Sequence, residues 1–157
     1  MSIENFFNSF EANKSHFNNL FNLEISLKSK LNSPVKYSVE GRYDFKGLSH
    51  ELNGYLVIDA LSNVLGRFSE QYMGSGYNLI CGVLIADKVP KLKIVKAPSS
   101  SRFGETIFDT LYILLEKSDD NSSVEGSYKG ACGLSKSSGS GKDRAILSLK
   151  KSMRVQV

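Results

Sequence analysis

A histidine and an aspartate lie nine positions apart, separated by a stretch of chain that becomes strongly apolar. His50 is a candidate general base because imidazole gains and loses a proton near neutral pH. Asp59 stands among apolar neighbours, where burial would favour the protonated carboxyl group that a general acid needs. The two residues therefore indicate acid–base chemistry. The alternatives are a surface histidine and an aspartate that faces solvent or caps a neighbouring backbone.

Gly54 lies between these two residues, at the predicted start of a helix. The first backbone N–H groups of a helix have no partner within it, so those of Gly54 and Tyr55 could hold an oxyanion. The alternative is an ordinary helix start with Asn53 as its N-cap. Asn63, one helical turn after Asp59, could orient the acid. Two weaker candidates for acid–base work stand nearby, Asp44 and Glu51.

The elements that would position these groups follow from hydrophobic periodicity. Apolar residues over 52–72 recur with a 3.6-residue period, which predicts one long helix buried on most sides. Alternation over 23–31 and 35–45 predicts a hairpin, with a turn at 32–34. Further strands are predicted over 77–86, 91–97, 106–117, 124–134 and 145–157. An aromatic stripe predicts an N-terminal amphipathic helix over 1–21.

This order of elements predicts an α+β fold in which an antiparallel sheet wraps around the central helix. The length of 157 residues suits a single domain over 1–157, with the N-terminal helix at 1–21 and the core at 22–157. The two cysteines are too far apart along the chain for a disulfide framework and are expected to be buried thiols. Together with the two histidines, they form no legible metal site.

The net charge of +4 is spread along the chain, with mild basic concentrations at 88–96 and 142–154. These stretches are either a solvated surface or a landing patch for an acidic partner. The scatter argues against a nucleic-acid interface. No apolar run reaches the length of a membrane span, and no signal peptide is visible, so the expectation is a cytoplasmic protein without membrane contact.

Residues 54–66 resemble the central helix of the 3-hydroxyacyl carrier-protein dehydratases of the hot-dog superfamily. The residues that carry the resemblance are Gly54, Asp59, Ala60, Leu61 and Asn63. The resemblance covers roughly 35–155, and residues 91–98 and 104–106 are similar to a following strand and turn. In that family a histidine precedes the glycine by nine positions, where this chain has Phe45. His50 would have to take that role here.

The resemblance implies dehydration of a 3-hydroxyacyl thioester, as in fatty acid or polyketide biosynthesis. His50 would take the α-proton, Asp59 would protonate the leaving hydroxyl, and the substrate would be carried on phosphopantetheine of acyl carrier protein or coenzyme A. It implies no metal or other cofactor. It also implies a homodimer, or an oligomer of dimers, with each site between subunits. The alternatives are an acyl thioesterase, in which water attacks the carbonyl and Asp59, His50 or the substrate-binding candidate Asn53 assists, and a non-catalytic acyl-thioester-binding protein.

Overall fold

The computed structural model contains an all-β barrel of eight antiparallel strands. It describes residues 24–45, 47–70, 77–85, 88–97, 110–119, 122–133 and 143–152. The strands, in chain order, are β1 (Val35–Phe45), β2 (Leu48–Ile58), β3 (Asn63–Glu70), β4 (Tyr77–Ile85), β5 (Lys91–Lys96), β6 (Leu111–Lys117), β7 (Gly126–Gly133) and β8 (Asp143–Lys151). One short helix, α1 (24–28), precedes the barrel.

Each strand pairs with the next along the chain, and β8 returns to pair with β1. Side chains opposite one another in an antiparallel pair point to the same side of the sheet, so the register separates an inner from an outer set. One inner row runs through Tyr37, Leu56, Gly66, Ile80, Lys96 and Leu111. Large apolar side chains from all eight strands form the core, as expected when eight strands close.

Helix α1 covers part of the outer surface of the barrel. Leu27 packs there with a second cluster that includes Leu65, Cys81 and Val95. The Glu24 carboxylate accepts hydrogen bonds from the Arg67 guanidinium, with 2.7 Å between Nε and Oε1. Because α1 covers the outer face of several strands, these strands carry apolar side chains on both faces of the sheet.

The predicted hot-dog fold, with its α+β class and its long central helix, is wrong. Of the residues predicted to be helical, 52–58 belong to β2, 59–62 form a turn, 63–70 are β3, and 71–72 lie outside the described residues. Leu56, Val57 and Ile58 are all buried because one face lines the barrel interior and the other is covered outside. Burial of both faces erases the alternation that marks a strand, and the remaining apolar spacing matched a helical period.

The predicted strand over 23–31 is also wrong, because residues 24–28 form α1. Glu24 and Leu27 are buried and Ile25 is exposed, which is the three-residue spacing of a helix face. Strand β1 accordingly pairs with β2 and β8 rather than with this segment. The predicted strands at 35–45, 77–86 and 91–97 are confirmed with small shifts of their ends. The predicted helix at 1–21 lies outside the described residues.

Buried polar groups fix the turn between β6 and β7. The Lys117 side chain is fully buried, donates a hydrogen bond to the Ser123 carbonyl oxygen at 2.5 Å and forms an ion pair with Asp119 at 3.3 Å. The Tyr128 hydroxyl donates to the Val124 carbonyl oxygen at 2.6 Å. Burial, followed by the charges of Tyr37 and Asp119, raises the pKa of Tyr128 to about 12.

We expect Leu27→Ala to destabilise the protein by about 2–5 kcal/mol, because it removes a buried side chain that joins α1 to the barrel. The matched control on the same helix is Ile25→Ala, which truncates a side chain that is 53% exposed. This control should cost about 0.5 kcal/mol or less. Urea denaturation measures both. Leu27→Ala should also speed the labelling of Cys81 by a thiol reagent, and equal effects of the two variants would contradict this docking of α1.

Stability should fall as the pH rises above about 9. Burial raises the pKa of both Cys132 and Tyr128 to about 12 in the folded state, from ordinary values of 9.0 and 10.0. The unfolded chain releases these protons earlier, so their contribution is complete below pH 9 and is lost towards pH 12. Tyr128→Phe should have a lower free energy of unfolding than wild type at pH 8, and this difference should narrow above pH 10. Urea denaturation from pH 8 to 11 measures this difference, and a difference that stays constant over that range would contradict the prediction.

Candidate functional site

The structure places the two predicted catalytic residues at opposite ends of one strand. His50 lies near the start of β2 and Asp59 follows directly after its end. At about 3.3 Å per residue, an extended strand separates them by about 30 Å. One chain therefore does not bring His50 and Asp59 together as an acid–base pair.

Asp59 organises the turn between β2 and β3. Its Oδ1 accepts hydrogen bonds from the backbone N–H groups of Leu61 and Asn63, both at 2.9 Å. Its Oδ2 accepts from the Asn63 side-chain amide at 3.1 Å and from the Asn32 backbone N–H at 3.2 Å. These four hydrogen bonds hold the carboxyl group in place and stabilise a turn in which Ser62 has a φ of 67°. This geometry makes Asp59 and Asn63 structural.

The other predicted site residues lie along β1 and β2. Gly54 is inside a strand and not at a helix N-terminus, and a Cβ there would collide with the Arg67 carbonyl oxygen, so the residue permits close pairing of β2 and β3. Tyr55 faces outward, with the Lys36 Nζ 4.5 Å from its ring centroid. Three further residues are exposed on the outer surface: Asp44, Glu51 and Asn53.

Polar side chains do meet inside the barrel, near the β1–β2 connection. The Tyr43 and His50 rings stack with centroids 4.8 Å apart and planes inclined by 15°. The Lys96 Nζ lies 5.7 Å from the centroid of the Tyr43 ring, within the range of a cation–π contact. Each of the three side chains is only 1% exposed. They are therefore part of the core in this structure rather than an open site.

Cys132 lies at the same end of the barrel. Its thiol donates a hydrogen bond to the Asp44 carbonyl oxygen at 3.3 Å. Burial, followed by the negative charges of Asp143 and Asp44, raises the pKa of this thiol to about 12. The thiol therefore stays protonated near neutral pH and is a poor nucleophile. The prediction that both cysteines are buried free thiols is confirmed.

An open groove crosses the outer surface of β5, β6, β7 and β8, and we call it the basic groove. Its volume is about 770 Å³, within the range of small-molecule sites. Its apolar lining includes Ile85, Leu114 and Ala131. Its charged lining consists of four cations and one acid, namely Lys91, Lys93, Lys129, Arg144 and Glu116.

Strand register explains why these side chains surround an apolar floor. Lys93, Leu114, Ala131 and Arg144 form one outward row across the four strands. The two cations thus stand at the ends of the row and the two apolar side chains between them. In the next row Lys91 pairs with Glu116 across the strands, with 3.4 Å between Nζ and Oε1. The basic groove therefore presents an excess of positive charge beside apolar surface.

A second groove, which we call the polar groove, adjoins the first on β7, β8, β1 and β2. Its volume is about 440 Å³. One outward row in it consists of Ser127, Ser148, Glu40 and Asn53. Arg42 and Glu51, cross-strand partners in the adjacent row, also line it. Its lining is thus mostly neutral or acidic, unlike that of the basic groove.

The two basic stretches of the sequence supply three of the four cations that line the basic groove. Lys91 and Lys93 come from the first stretch and Arg144 from the second, and the barrel brings β5 and β8 onto one face. Sequence reasoning missed Lys129, because an isolated lysine in a Gly-rich strand carries no signal of its own. The alternation of Ser127, Lys129 and Ala131 indicates that they share a face, but which strands flank them depends on sheet order.

Within the described ranges, no group of three or more His, Cys, Asp and Glu side chains is arranged to bind a metal ion. In the same part of the chain, no helix is both long and apolar enough to cross a membrane.

Asp59→Ala should lower the free energy of unfolding by about 2–4 kcal/mol, because four donors lose a charged acceptor. The control is Asp44→Ala, which removes an exposed carboxylate on β1 and should change stability by about 0.5 kcal/mol or less. Urea denaturation at pH 7 measures both. Wild-type stability in Asp59→Ala would show that these hydrogen bonds do not hold the turn.

We compared the chain with protein-family models, with curated proteins and with solved structures, and none of them matches it.

Proposed function

We propose that this protein binds a small amphiphile that carries a phosphate or carboxylate head group next to an alkyl or acyl chain. The observation that carries the proposal is the basic groove, where four cations and a single acid surround apolar side chains. A cationic rim attracts an anionic head group, and an apolar floor removes part of a hydrocarbon chain from water. The groove therefore offers cations to the head group of an amphiphile and apolar side chains to its hydrocarbon chain.

The charges favour an anionic ligand over a second copy of this chain on the same face. A two-fold dimer through the groove would place the same patch on both sides of the interface. Lys93, Lys129 and Arg144 would then face like charges, which is unfavourable. A small anion instead neutralises part of the positive charge.

The groove also favours binding over catalysis as its role. The acid–base candidates His50 and Asp59 are not among its lining residues. Acyl-thioester binding, one of the alternatives predicted from the sequence, is compatible with the groove, since coenzyme A carries phosphates and the acyl chain is apolar. Dehydration and hydrolysis of a thioester stay predictions from the sequence.

Titration calorimetry with octyl phosphate and decyl phosphate, each as dissolved monomers, tests the proposal. Decyl phosphate should bind more tightly, by up to about tenfold, because two further methylene groups leave water. Both Kd values should rise with salt, because screening weakens the attraction of the exposed cations. Arg144→Met and Lys129→Met should each weaken binding by about three- to tenfold.

The matched control is Lys150→Met, which removes an exposed cation from β8 outside the groove and should leave Kd nearly unchanged. Equal losses in Lys150→Met and Arg144→Met would show non-specific attraction and overturn the proposal. The absence of binding at millimolar decyl phosphate would also overturn the proposal. Sedimentation completes the test, because self-association that Arg144→Met strengthens, without alkyl phosphate binding, would identify this face as an interface between copies.

A further inference from the structure

The basic groove and the polar groove are continuous across the barrel surface. Lys129 lines the basic groove, and its cross-strand partner Ile146 lines the polar groove. Ile146 in turn pairs with Arg42 on β1. A ligand whose anion lies at Lys129 can therefore extend into the polar groove without leaving the surface.

The polar groove offers hydrogen bonds of a different kind from the basic groove. The outward row of Ser127, Ser148, Glu40 and Asn53 supplies two hydroxyls, one carboxylate and one amide. Hydroxyl and amide side chains both donate and accept, and a carboxylate accepts from two donors at once. Arg42 stands opposite Glu51 in the strand register, so these two charges offset one another.

A neutral polyol matches this set better than an ammonium group does. Vicinal hydroxyls can donate to the Glu40 carboxylate and can both donate to and accept from Ser148 and Asn53. An ammonium group only donates, so it could pair with the Glu40 carboxylate but could not accept a hydrogen bond from the Asn53 amide or from the two serine hydroxyls. The residues of the polar groove therefore favour a head group that carries several hydroxyls.

We infer that the ligand is an amphiphile whose phosphate is esterified to a polyol, with the phosphate at the cations of the basic groove and the polyol in the polar groove. This inference rests on the proposed function of the basic groove. Two strand spacings, about 10 Å, and a shift of two residues along the strands, about 7 Å, place the backbones of Lys129 on β7 and Glu40 on β1 about 12 Å apart. A phosphodiester with a glycerol-sized or larger head group spans this distance when the long lysine side chain is included.

Titration calorimetry on the full chain with three decyl phosphodiesters tests the inference. The probes are decyl methyl phosphate, decyl glycerol phosphate and decyl phosphoethanolamine, which share one chain and one phosphodiester. Decyl glycerol phosphate should bind about tenfold more tightly than the methyl ester, the change that one hydrogen bond to a charged group brings about. The ethanolamine ester should not exceed the methyl ester by more than about twofold.

Two variants assign the preference to the polar groove. Glu40→Ala combined with Ser148→Ala should abolish the preference for the glycerol ester, so that the glycerol and methyl esters bind with equal Kd. Lys129→Met should weaken all three esters by the same factor and keep the preference. Both variants replace side chains on the outer surface, and urea denaturation confirms that they fold.

The outcomes separate the two proposals. Equal binding of the glycerol and methyl esters would overturn the polyol inference while leaving anion binding in place. Tightest binding of the ethanolamine ester would replace the polyol with an amine head group and also overturn the inference. If none of the three esters binds, the proposed function itself fails.

Discussion

Closure of the sheet by pairing of β1 with β8 is the constraint on which the rest of the structure depends. Once the eight strands form a ring, every inward side chain must fit a common interior and every outward one becomes surface. Closure also leaves no unpaired strand edge in the ring. The position of each functional group is therefore set by its side of the sheet and by the strands that flank it.

The interior that closure creates is occupied by the protein itself. Tyr37, Phe68, Tyr128 and their apolar neighbours pack inside it, and Tyr43, His50 and Lys96 fill one end. The two grooves therefore lie on the outer surface, of which α1 covers another part. Four strands contribute to each groove, so neither site exists in any one segment of the chain.

Neighbouring groups decide what each ionisable residue does. Asp59 has the apolar surroundings of a general acid, yet its two oxygens accept four hydrogen bonds that close a turn. His50 stands beside an aromatic ring in the core. Lys129, by contrast, has no distinctive neighbours along the chain but stands between two grooves because Ile146 pairs with it. Residue type alone indicated chemistry at the first two positions and none at the third.

The sequence by itself determined most of the strands, including β1, β4 and β5, because alternation and turn residues are local properties of the chain. It also determined the basic stretches and the buried free thiols. Only the tertiary structure decided that residues 52–70 belong to two strands, since burial on both faces removes the period that separates a strand from a helix. The grooves likewise required the closed barrel, because cross-strand register is not a local property and it alone brings Lys93, Lys129 and Arg144 together.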